Sequence, residues 1–99
     1  MPSFPLSPEE YVLSALALEF QAHVVESHPD IPGASRIARE LRTLASVVSS
    51  CPPSLSWAAL GTLCASLESL IESGDFPDIP MAIALHARLS AALPPDIQA

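Results

Sequence analysis

The chain contains no lysine and no asparagine, and its four basic residues are all arginine (Arg36, Arg39, Arg42, Arg88) against eleven acidic ones. A formal net charge of -7 repels phosphate and argues against direct nucleic-acid binding. Charged residues are scarce at 15%, below the usual share of about 25%, while hydrophobic residues reach 49%, so intrinsic disorder is not expected. Glycine occurs only at Gly33, Gly61 and Gly74, which form no phosphate-cradling motif. Cys51 and Cys64 lie too far apart for a CxxC motif. Cys51 falls in an expected loop and Cys64 on an apolar helix face, so no disulfide framework is expected and a reducing, cytoplasmic compartment fits better. Met1–Leu6 has no basic residue and no continuous apolar run, so no secretory signal is expected there. The longest uncharged run, Thr43 to Leu67, is broken by Pro52 and Pro53, which argues against a membrane span.

Proline, by contrast, is abundant, and it punctuates. The eleven prolines cluster at Pro2/Pro5/Pro8, Pro29/Pro32, Pro52/Pro53, Pro77/Pro80 and Pro94/Pro95. Proline lacks a backbone donor and clashes with the preceding turn, so it favours helix starts and the positions after helix ends. The spacing predicts four helices: about Pro8–Ser27, Gly33–Ser49, Leu55–Ser73 and Ile79–Leu93. Ser7 and Glu10 form a capping box for the first, with Leu6 and Tyr11 as a hydrophobic staple. Ser54 or Ser56 caps the third, Gly74 stops it, and Asp75 or Asp78 caps the fourth. No segment alternates with period two, so no strand is expected. Short connections then give an all-α fold, a compact antiparallel four-helix bundle or two stacked helical hairpins, as a single domain with loose ends at 1–6 and 94–99.

The apolar residues recur with helical period. The second helix carries a clean stripe of Ala34, Ile37, Ala38, Leu41, Leu44, Ala45 and Val48. The third carries Leu60, Leu63, Cys64, Leu67, Leu70 and Ile71; the fourth Ala82, Leu85, His86, Leu89, Ala92 and Leu93. The first helix carries two stripes: Leu13, Leu16, Ala17, Phe20 and Val24, and, rotated away, Tyr11, Leu18, Ala22 and Val25. In a symmetric bundle each helix meets two neighbours and shows one face to water. The second stripe therefore points to an intermolecular contact through Tyr11, Leu18 and Val25, joined by Trp57. Arg36, Arg39 and Arg42 form a local basic strip, which reads either as a solvated face with an Arg36–Glu40 pair or as a docking strip for an acidic segment.

Candidate chemistry is sparse. Among His23, His28, His86, Cys51 and Cys64 no pair has zinc-finger, HExxH or Glu-x-x-His spacing, so no metal site or other cofactor is expected. Cys64 and His86 can face each other across the last two helices, but a thiol in a leucine stripe is inert. Trp57-x-x-Leu60-Gly61-x-x-Cys64 resembles the first-helix signature of tetratricopeptide repeats, and Gly74-Asp75-Phe76 with Ala82–Leu85 looks like that family's turn and second helix. The likeness covers about a third of the chain. Cys64 replaces the family's aromatic, and Pro77 and Pro80 sit in the joint. The resemblance implies a helical hairpin that holds a partner peptide. The reading is thus a small acidic protein-interaction module, an adaptor, chaperone or inhibitor that is not an enzyme, binding a protein partner or its own copy. The alternatives are a helical enzyme or ligand-binding protein with an inter-helix pocket, and a structural subunit of a larger complex.

Overall fold

A computed structural model describes residues 6–50, 55–74 and 79–93. Four helices make up the described chain: α1 (Pro8–Glu26), α2 (Ala34–Ser49), α3 (Trp57–Ser73) and α4 (Ile79–Ala92). Their starts follow from local chemistry. Ser7 Oγ accepts from the Glu10 amide at 3.2 Å while Glu10 Oε1 accepts from the Ser7 amide at 2.9 Å, completing the expected capping box. Ser56, not Ser54, caps α3, accepting from the Ala59 amide at 3.1 Å. Leu55 and Leu60 flank that cap and are both buried, a second hydrophobic staple. Gly33 enters α2 and Gly74 leaves α3 in the left-handed region, at φ 71° and 69°. The expected caps Asp75 and Asp78, as well as Cys51, lie outside the described residues. So do the expected loose ends except Leu6, which is half-buried and packs on the core.

The register between helices is written in side-chain contacts. Arg42 meets Glu26, and the start of α1 lies beside Ser49 at the end of α2, so α1 and α2 are antiparallel. Cys64 meets Ser90 and Glu68 meets His86, each pair one turn from the next, so α3 and α4 are antiparallel as well. Arg88 near the end of α4 reaches Glu10 at the start of α1. The result is an all-α compact bundle, with one hydrophobic cluster drawn from all four helices. Its radius of gyration is 12.8 Å, close to the roughly 12.6 Å expected for a folded chain of this length.

The packing is not that of a symmetric bundle, and this corrects the partner assignment. α1 packs against α2, α3 and α4, whereas α2 leans chiefly on α1. A helix with three neighbours needs apolar residues nearly all round. Leu18 and Ala22 are fully buried and Val25 is 7% exposed within the single chain, so Leu18 and Val25 are core residues and present nothing to a partner. Tyr11 and Trp57 are half-buried and pack on the same core. The other α1 stripe is the one that breaks: Leu13 and Ala17 are buried, Phe20 and Val24 half-buried, and Leu16 is exposed. The α2 and α3 stripes go inward as expected, and of the stripe expected for the fourth helix only Ala92 is exposed. Ser14 and Ser66 are buried within apolar faces, because each hydroxyl donates to a carbonyl one turn back (Glu10 O at 2.7 Å, Thr62 O at 3.0 Å).

Candidate interaction surface

The arginine strip sits on the exposed side of α2, where the sequence placed it, but most of its charge is already spent. Arg42 donates from Nη1 to Glu26 Oε2 at 2.7 Å and from Nη2 to Glu26 Oε1 at 2.5 Å, a bidentate fork across the α1–α2 seam. These hydrogen bonds hold the Glu26 carboxyl below its ordinary pKa and raise that of Arg42. Arg36 stands 4.0 Å from Glu40, with both side chains largely in water. Arg39 carries no such partner among the described residues. It lines an open cleft with Ser35, Arg42, Thr43, Ser46, Val47 and Glu26. The fourth arginine, Arg88, is bound to Glu10. A strip that reads as basic in sequence is therefore largely neutralised in space.

Cys64 and His86, which the sequence allows to face each other, take different partners. Cys64 Sγ lies 3.5 Å from Ser90 Oγ, and His86 Nε2 lies 3.8 Å from Glu68 Oε2, one turn further along. The thiol and the imidazole belong to different rungs of the α3–α4 ladder. Among the described residues no group of three or more His, Cys, Asp or Glu side chains is placed to hold a metal ion. No described helix is long and apolar enough to cross a membrane.

The surface feature that sequence reading missed lies on α1. Val12 is 62% exposed and Leu16 is 44% exposed, one turn apart on the same ridge. Together with Tyr11, Ala15, Glu19 and Ser49 they frame a shallow depression where α1 meets the end of α2. Glu9 and Glu19, also exposed, bracket the pair at three residues on either side. The ridge thus reads Glu9-x-x-Val12-x-x-x-Leu16-x-x-Glu19. That spacing is visible in sequence, but it is hidden there by the stronger apolar stripes beside it. Val47 on α2, Ile83 on α4 and Ile31 before α2 are also exposed, and none of them lines this depression.

Fold and surface together define a small helical bundle whose central helix keeps one apolar ridge in water. Compared with known proteins, the chain matches no family model, no curated protein and no solved structure. The tetratricopeptide likeness of Trp57–Cys64 therefore finds no support beyond the antiparallel α3–α4 hairpin itself.

Proposed function

We propose that this protein is a non-enzymatic protein-interaction module that engages a partner through the Val12–Leu16 ridge of α1. One observation carries the reading: the helix that supplies the centre of the core also holds a valine and a leucine in water, side by side, over a shallow apolar depression. Contiguous exposed apolar surface on a small domain is the common mark of a binding site. Tyr11, half-buried at the edge of that depression, belongs to the contact, while Leu18 and Val25 are buried in the core and Trp57 packs on it.

Affinity capture from native cells tests this, comparing the wild-type chain with Val12→Ser/Leu16→Ser. Both positions are exposed, so the double variant should keep its helicity by circular dichroism. It is expected to lose a stoichiometric partner that the wild type retains. Identical captured sets would refute the ridge as the contact surface.

A further inference from the structure

We infer that the partner segment is a cationic amphipathic helix, an apolar pair flanked by lysine or arginine. The inference rests on the ridge being the contact surface and adds the chemistry of what sits there. The argument is charge complementarity. Glu9 and Glu19 stand exposed on either side of Val12 and Leu16, with no hydrogen bond or ion pair to another described side chain, although Glu19 lies within the field of Arg42. Ten residues of helix separate the two carboxylates by about 15 Å, roughly three turns of a partner helix in all. The field around them is acidic too: net charge is -7, and of the four arginines Arg36, Arg42 and Arg88 each face a carboxylate of this chain. An acidic segment would meet repulsion at the ridge and find only Arg39 uncommitted. A basic helix meets attraction both at long range and at contact.

A second copy of the chain fits poorly. The ridge pattern, Glu-x-x-Val-x-x-x-Leu-x-x-Glu, has the same spacing in both directions. Laid parallel, ridge on ridge, Glu9 meets Glu9 and Glu19 meets Glu19; laid antiparallel, Glu9 meets Glu19. Every in-register pairing of the apolar residues sets carboxylate on carboxylate.

Fluorescence anisotropy with labelled designed helices decides the matter. The probe has two leucines four residues apart and an arginine three residues outside each; its twin has glutamate in place of arginine. The basic probe is expected to bind and the acidic twin not to. Raising salt from about 0.05 M to about 0.5 M should weaken the basic complex, because rim charges are screened. Glu9→Gln/Glu19→Gln should weaken it about fivefold, the scale of two exposed ion pairs. Asp30→Asn/Glu72→Gln, the same charge change elsewhere, should leave it unaltered. Failure of the basic probe to bind, equal binding of the twin, or equal loss in both charge variants would overturn the inference. Val12→Ser/Leu16→Ser separates the two levels. If the acidic twin binds and that variant abolishes its binding, the ridge stands and only the partner's charge is wrong. If the ridge variant changes neither probe's behaviour while capture from cells is also unchanged, the surface itself is misassigned.

Discussion

Leu16 and Leu18 stand two residues apart on α1, and the fold treats them oppositely: Leu16 looks into water while Leu18 is fully enclosed. Their alanine variants should therefore separate cleanly. Leu18→Ala removes methyl groups from a packed site and leaves a cavity, so it should cost about 2–5 kcal/mol of unfolding free energy. Leu16→Ala should stay within about 0.5 kcal/mol, as surface substitutions do. Urea titration at unchanged m-value measures both; equal losses would mean that the enclosure of Leu18 is not what the fold depends on. Sequence pattern could not make this distinction. Period 3.6 shows which residues share a face, and both leucines belong to apolar stripes. Which stripe is wet depends on how many neighbours the helix has. The same limit hid Val12, which fits neither stripe, and made Leu18 and Val25 look like spare surface. Ser14 and Ser66 were hidden differently: a serine can satisfy its hydroxyl within its own helix and so sit in a core without breaking it.

Element boundaries were the legible part of the chain, because caps act over a few residues. Ser7 with Glu10, Ser56 and Gly74 each resolve a local shortage of backbone partners, and each is visible as a residue type at a fixed offset from an apolar stripe. Gly74 offers the sharpest test. A Cβ there would touch nothing within 4 Å, so space is not the constraint; φ of 69° is. Gly74→Ala should thus cost about 1–2 kcal/mol through the left-handed backbone alone, and Gly74→Asn less, since asparagine visits that region more readily. Thermal unfolding of the two variants gives the comparison; an alanine variant as stable as the wild type would show that α3 ends without this turn. Register was less legible than boundary. Pairing Cys64 with Ser90 rather than His86 is a shift of one helical turn, and stripe periodicity is the same before and after such a shift.

For the whole molecule, the apparent surplus of apolar surface is answered by topology. A symmetric bundle gives each helix two neighbours; here α1 takes three, and its second stripe closes the core instead of an interface. What stays exposed on α1 is a valine and a leucine, bracketed by Glu9 and Glu19 and carried on a chain of net charge -7. Those conditions oppose self-association on both counts: little area to bury, and like charges brought together whenever the ridges align. The chain should sediment as a monomer of 10.4 kDa at neutral pH, at about 0.15 M salt, where the screening length of about 8 Å still leaves carboxylates in contact repelling one another. Glu9→Gln/Glu19→Gln should raise the tendency to pair, by removing the repulsion while leaving Val12 and Leu16 in place. A wild-type mass that climbs toward twice the monomer with concentration, and a charge variant that does not differ from it, would show that the carboxylates do not keep copies apart and that the chain's first partner is itself.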